Sequence, residues 1–420
     1  MNFQGLFSKE DNALSYRNFR LFWSGQFVSL IGTWMQNTIQ PLLAYQLTSQ
    51  PIYLGLIGFA TSLPGLLFTL PAGVLVEKID KRKFVIFLQV VMMLQAFSMA
   101  YLTLSGLINI WMIIGLSFLL GLASAFEITA RQSMVVELVS KKAIPSAIAL
   151  NSGIFNTARV LGPSLTAPFL LLFQDQGIGW AFFANGVSYL FVILSLLWME
   201  STPRKKIEGT RPNLFADFMV GQKYIRSSQV LFLLILIVTI PSFFGFPFGQ
   251  LIPVFASDVL RGVQDSVATV NARNSLLMTA QGVGALLAAI LLAIFTSIRR
   301  KGRLLVIGQV TFAAALVLFS FTNDTTIACL LLVFIGWGTI TQLALTNTLI
   351  QLSVPDELRG RVISTYFWAQ SAAAPFGSLL IGYLAENFNA PFAVRIGGIV
   401  CLVGYLSINF IKPAVRKSVV

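Results

Sequence analysis

Twelve times between residues 19 and 411 the sequence runs apolar for about 20 residues or more. A helix of 20 residues is about 30 Å long, the thickness of a bilayer's hydrocarbon core. The runs are 19–45, 52–76, 84–105, 108–130, 146–173 and 179–199, then 229–257, 270–298, 304–321, 326–352, 362–386 and 390–411. Only 11% of residues are charged, against about 25% in soluble domains. The expected fold class is therefore an all-α polytopic membrane protein with twelve transmembrane helices. The longest polar connection, 200–228, splits the runs six and six. We expect a six-helix bundle over 1–199, a cytoplasmic central loop over 200–228 and a second six-helix bundle over 229–420. A faint repeat agrees: the polar segment from Glu137 that opens the fifth run returns 214 residues on, from Gln351, before the eleventh. Paired halves place a transport site between them.

The chain carries a net charge of +13, which raises the question of nucleic acid. With both termini on one side, 25 of the 29 Lys and Arg fall in the segments on that side. This is the positive-inside pattern, and the charge is read as a collar facing anionic lipid rather than a nucleic-acid surface. Both termini are expected in the cytoplasm. The first run is too long for a signal-peptide core and is read as a retained span. Cys329 and Cys401 lie inside apolar runs and read as small core residues. There is no histidine, hence no His-ligated metal, His proton relay or Ser-His-Asp set. No GxxxxGK[ST] loop occurs, so no ATP-binding site is expected in this chain. Neither enzymatic activity nor a cofactor is expected, and a monomer suffices.

The fifth run, from Ser146 to Phe173, has a single charge, Arg159. An arginine at mid-membrane costs at least about 3 kcal/mol unless it faces protein or a wet cavity. Ser152, Asn156, Arg159 and Pro163 share one helical face, and Gly162-Pro163 weakens the helix a turn later. Gln26, Ser29, Thr33, Gln36, Asn37 and Gln40 form a polar face on the first run. They either line an aqueous pathway or hydrogen-bond between helices. Gln342, Thr346 and Asn347 repeat the pattern in the tenth. The seventh run contains Pro241, Gly245, Pro247, Gly249 and Pro253 and is expected to be bent or broken. Phe243, Phe246 and Gln250 there would meet a greasy substrate, or the rings face lipid. Glu127 either titrates during transport or pairs with Arg131 four residues on. After the second run, Gly73, Glu77, Asp80, Lys81 and Arg82 form a charge cluster that either latches one side shut or only sets topology.

Those last residues, in GVLVEKIDKRK, resemble the loop motif of the major facilitator superfamily, with Gly73, Leu75, Lys78, Lys81 and Arg82 matching, Glu77 in place of Asp and Asp80 in place of Gly. Gly162-Pro163 resembles its antiporter motif, with Ala149, Ala158, Thr166 and Ala167 where glycines are usual. YRNFRLFWSGQFVSLIGTWMQ and AIALNSGIFNTARVLGPSL are similar to the branch of enterobactin exporters and macrolide-efflux-like proteins. The resemblance implies the major facilitator fold in a bacterial inner membrane and proton-coupled export of a small amphiphile, siderophore or drug-like. Arg159 would be the pathway's fixed charge, with Glu127 and Arg159 in proton coupling. Gly73, Glu77, Asp80, Lys81, Arg82, Arg131, Gly162 and Pro163 would gate. Import or uncoupled facilitation by the same fold is the alternative, ahead of a receptor or scaffold that moves nothing.

Overall fold

In a bilayer an apolar segment must satisfy its own backbone hydrogen bonds, and only the helix does so within one segment. The computed structural model describes residues 11–200, 214–262, 265–294 and 301–411, and among these it contains no strand. The helices are α1 (Arg17–Thr48), α2 (Pro51–Lys78), α3 (Lys81–Leu104), α4 (Ile110–Glu137), α5 (Ile144–Leu172), α6 (Gly177–Leu197) and α7 (Leu214–Ser227). There follow α8 (Gln229–Phe244), α9 (Ile252–Val254), α10 (Val267–Ile294), α11 (Lys301–Phe319), α12 (Thr325–Leu352), α13 (Asp356–Asn387) and α14 (Ala390–Ile411). Among the described residues, nine segments are long and apolar enough to cross a membrane. The long helices α1, α5 and α13, with 32, 29 and 32 residues, are more polar and pack among them.

Side-chain caps set the helix starts. Asp80 accepts from the Lys83 amide, Asn109 from Met112 and Asp324 from Ile327. Gly106, at φ +71°, turns the chain between α3 and α4, a conformation glycine adopts without steric cost. The break expected in the seventh run falls at Gly245. There α8 gives way to a 3-10 turn over Phe246–Leu251, then α9 and a π turn over Phe255–Val259. By contrast α5 runs unbroken through Pro163 and Pro168. Pro163 leaves the Arg159 carbonyl without its i+4 donor, a local weakening without a break. Of the interval 200–228, residues 201–213 lie outside the described residues. The remainder was expected as loop and is instead largely α7. It lies so close to α13 that a Cβ at Gly221 would come within 2.8 Å of the Arg361 carbonyl.

Helices α1–α6 pack on one another, as do α8–α14, and the two groups meet chiefly where α2 crosses α13 and α5 crosses α10. Buried amides knit the first group. Gln36 Nε2 donates to Gln40 Oε1 and Gln95 Oε1, Asn185 donates to Gln36 Oε1, and Gln40 donates to Ser117 Oγ. In the second group the Tyr405 hydroxyl donates to Gln342 Oε1 and Asn409 Nδ2 to Gln309 Oε1. The end carrying 78–83, 138–143 and 353–356 is called here the basic end. The other, carrying Asp258, Asp265, Asp324 and Glu386, is the acidic end.

Candidate functional site

Among the charged residues inside helices are Arg159 on α5 and the pair Glu127–Arg131 on α4. The pair is self-contained. Both side chains are buried and Arg131 Nε lies 3.0 Å from Glu127 Oε1. Gln89 Nε2 also donates to Glu127, and Arg131 Nη1 reaches Asn151 Oδ1. Arg159 is different. Its guanidinium, with five N–H donors, has no hydrogen-bond acceptor and no acid among the described residues. It lies instead over the Trp34 ring at 4.8 Å and the Phe155 ring at 5.7 Å. A cation–π contact is worth about 1 kcal/mol, so two rings offset only part of the cost of an arginine at this depth. The side chain is partly accessible.

An open groove of about 530 Å³ lies between α1 and α5, lined by Trp23, Phe27, Ser146, Ala149, Leu150, Gly153, Ile154 and Thr157, on the face of α5 away from Arg159. Trp23, Phe27 and Trp34 stand at i, i+4 and i+11, one face of α1. Trp23 Nε1 donates to the Leu150 carbonyl, fixing the floor. Gly162 lets α5 approach α1, since a Cβ there would come within 2.4 Å of Trp34 Cβ.

The gap between the two groups is closed at the acidic end. There the Tyr45 hydroxyl donates to Asp258, Gln46 Nε2 to Asn271 Oδ1 at 2.6 Å, and Asn274 Nδ2 to the Thr38 carbonyl at 3.2 Å. The Ile52 amide donates to Glu386. Gly55, Gly58 and Gly65 share a face of α2. A Cβ at Gly55 would come within 2.6 Å of the Ser378 carbonyl and one at Gly58 within 2.8 Å of Ser378 Cβ, but one at Gly65 would meet nothing within 4 Å. So α2 and α13 touch near the acidic end and part toward the basic end. On the other flank, a Cβ at Gly282 of α10 would come within 2.6 Å of the Arg159 carbonyl, whereas Gly153, nearer the basic end, meets nothing.

Of the residues the sequence singled out, Asn37 is exposed and Thr33 half-buried against the Tyr189 hydroxyl. Gln36 and Gln40 lie in the amide network inside the first group, and Gln342 and Thr346 inside the second. Asn347 is half-buried and accepts from Gln351. Asn156 is buried, with Nδ2 on the Ser152 carbonyl and Oδ1 without a partner. Phe243 stacks on Phe244, Phe246 on Phe312, and Gln250 lies beside Gly58. In the loop cluster, Lys81 pairs with Glu137, Arg82 caps α6 through the Leu196 and Leu197 carbonyls, and Asp80 caps α3. Glu77 is exposed, and a Cβ at Gly73 would meet nothing, so no close helix approach uses Gly73 here. Sequence reasoning missed Trp23, Phe27, Trp34 and Phe155. The signal was available in the shared face of α1 and in Phe155 one turn before Arg159.

The family described as transmembrane secretion effector matches residues 12–418. The chain belongs to this family of major facilitator transporters. It is 24% identical over 386 residues to the staphyloferrin A transporter of Staphylococcus aureus, covering 90% of this chain and 92% of that protein. Macrolide efflux protein A of Streptococcus pyogenes is 19% identical, covering 92% and 95%. The multidrug efflux pump Tap of Mycolicibacterium fortuitum is 22% identical, covering 82% and 84%. Among solved structures, the nucleoside transporter NupG superposes with a TM-score of 0.70 at 11% identity over 95% of this chain and 99% of its own. A bacterial homologue of the lysosomal transporter Spinster, inward-facing and occupied, gives 0.71 at 14% identity over 96% and 99%. The protein is a multi-pass membrane transporter and not an enzyme.

Proposed function

We propose that this transporter is a secondary active exporter of a small amphiphilic molecule, working by alternating access in a bacterial cytoplasmic membrane and driven by proton influx. The reading rests above all on Arg159, a guanidinium at mid-depth with no acid partner among the described residues, at the crossing of the two helix groups. The groups would rock about this point, as paired-bundle transporters do. The basic end faces the cytoplasm on the positive-inside argument, so the gap between groups receives cargo from inside. The likeness to efflux proteins and a siderophore transporter supports export and an amphiphilic cargo. Glu127 is the proton carrier in this reading, exchanging its partner Arg131 for a proton. Gln250, Phe243 and Phe246 border the pathway from the second group, and the cluster from Glu77 to Arg82 latches the basic end in the opposite state. The membrane supplies protons and lipid; one chain is sufficient.

Everted membrane vesicles test this. Uptake of staphyloferrin A or a macrolide that depends on the chain and stops when the proton gradient is collapsed is the expected result. Uptake that persists without the gradient removes the coupling. The Glu127–Arg131 pair favours one second reading, an uncoupled facilitator, because it already neutralises the carboxylate. Glu127→Gln separates the two: a facilitator keeps full downhill flux with no pH dependence.

A further inference from the structure

We infer that the free face of α7 is a binding surface for anionic phospholipid, which holds the helix in the membrane surface at the basic end. The inference goes beyond the export reading and uses neither cargo, direction nor coupling.

The argument starts from the two faces of α7. Gly221 and Ile225, one turn apart, are buried. A Cβ at Gly221 would come within 2.8 Å of the Arg361 carbonyl and 3.1 Å of Thr365 Oγ1. Ile225 packs in one cluster with Val362 and Tyr366. On the opposite side Met219, Lys223 and Arg226 stand at i, i+4 and i+7, with Val220 and Ser227 along the same edge. All five are exposed, Met219 by 50% and Val220 by 42%. Among the described residues no acid pairs with Lys223 or Arg226. Other basic residues at this end are engaged by the protein: Arg17 by Glu200, Lys81 by Glu137, Arg82 by the Leu196 and Leu197 carbonyls, and Arg359 by Asp356. The segment 200–228 holds six Lys and Arg against three acids, so its charge is not balanced along the chain either.

Depth gives the second half. Arg361 and Thr365, which α7 packs against, lie within about 14 Å of the start of α13. The first turns of α13 carry Asp356, Glu357, Arg359 and Arg361. The apolar run of α8 begins just past Ser228, where extended backbone at φ −110° and ψ 108° separates it from α7. So α7 sits at the level where headgroups meet hydrocarbon. A helix there with apolar and basic side chains on one face has the composition of an interfacial helix. Water alone would leave Met219 and Val220 bare, and a zwitterionic surface would leave both cations without a counter-charge. A phospholipid with net negative charge answers both, its chains against the apolar pair and its phosphate between the cations. Helix α7 also touches α2 of the first group, at the end where α2 and α13 part. The bound lipid therefore lies beside the mouth of the gap.

The test uses the full-length chain in lipid nanodiscs, with Ser227→Cys carrying a nitrobenzoxadiazole fluorophore and the signal of the equally treated unsubstituted chain subtracted. Nitroxide-labelled phosphatidylglycerol and phosphatidylcholine with identical chains are the quenchers, each titrated into an unlabelled phosphatidylcholine bilayer. A basic residue close to an anionic surface favours binding about fivefold. Half-maximal quenching should therefore need about fivefold less phosphatidylglycerol than phosphatidylcholine, or less still. Lys223→Gln with Arg226→Gln should bring the two lipids level, and so should high salt, which screens exposed charges. A fluorophore at Val267→Cys, at the acidic end, should show no preference. Equal quenching by the two lipids at position 227 overturns the proposal. A preference that the double change leaves intact places the lipid on other basic residues and overturns it too. Both changes are at exposed side chains that touch no core residue, so the variants keep the fold in which the comparison is made.

Discussion

At the scale of single residues, two arginines on neighbouring helices have opposite situations. Arg131 was legible, because Glu127 stands four residues before it on the same face. Removing one member of a buried pair strands the other, at a cost of about 3–5 kcal/mol. Glu127→Ala should therefore lower the unfolding free energy by about that amount. The double change Glu127→Gln with Arg131→Gln should recover much of it. Thermal or urea unfolding in detergent reads both, and a near-neutral Glu127→Ala would contradict the buried pair. Arg159 was legible as an oddity, but its aromatic partners were not. In a greasy helix Trp34 and Phe155 look like any lipid-facing ring, and only the crossing of α5 on α1 at Gly162 assigns them. A third case lies at the acidic end. Asp265, in the loop before α10, accepts from the Arg273 guanidinium and from the Gly262 amide. Chiefly that Arg273 hydrogen bond holds its carboxyl below the usual carboxylate range. A depressed carboxyl stabilises the fold above the unfolded value, near 4, and stops doing so as pH falls through the folded value. The melting-temperature difference between the wild type and Asp265→Asn should be constant from pH 8 to 5, begin to shrink near pH 4 and vanish only below the depressed folded value.

At the scale of elements, most helices could be read from length and composition, since lipid leaves the backbone few choices. The exceptions have physical reasons. The helix α7 was hidden because its sequence is polar enough for a loop, and its order comes from packing on α13 at Gly221. In α5 the helix continues through Pro163 and Pro168, with α10 packed at Gly282 against the freed Arg159 carbonyl. In α8 the run of proline and glycine is denser, and the chain changes to a 3-10 turn at Gly245. The polar faces of α1 and α12 could not be assigned from sequence, since a cavity and a neighbouring helix ask for the same residues. The structure turns Gln36, Gln40 and Gln342 inward on other amides and a tyrosine. The crossing of α2 on α13 depends on small residues. Placing a Val at Gly55 puts atoms where the Ser378 carbonyl lies 2.6 Å from the Cβ position, and overpacking of this kind costs about 1–3 kcal/mol. The cost falls only on the state in which these ends touch. Gly55→Val should thus raise the reactivity of a cysteine placed at Gln46 toward a membrane-impermeant thiol reagent, while Gly65→Val, facing open space, should not.

At the scale of the whole molecule, the alternation of Lys and Arg between segments and the six-and-six spacing of the apolar runs are properties of the sequence itself, because charge and hydropathy are summed along the chain. Which ends of the groups meet was not visible. That depends on surfaces from segments more than two hundred residues apart, such as Tyr45 with Asp258 and Gln46 with Asn271. Those contacts are polar and few, as the proposed alternation requires, since a seal that opens cannot be worth much more than the energy that opens it. Tyr45 is buried and Asp258 is exposed. Water competes for that carboxylate, so the hydrogen bond is worth about 1 kcal/mol. Loss of about 1 kcal/mol changes a two-state ratio about fivefold. Tyr45→Phe keeps the ring in its apolar setting and removes only the hydroxyl. It should therefore shift the population toward the state open at the acidic end by about fivefold and leave the unfolding temperature nearly unchanged. Spin labels at the acidic ends of α2 and α13 would report the shift as a growing long-distance fraction. The direction is fixed by the geometry: because the hydroxyl bridges the groups at this end alone, a variant that instead favoured closure would mean that Tyr45 does not act as part of the seal.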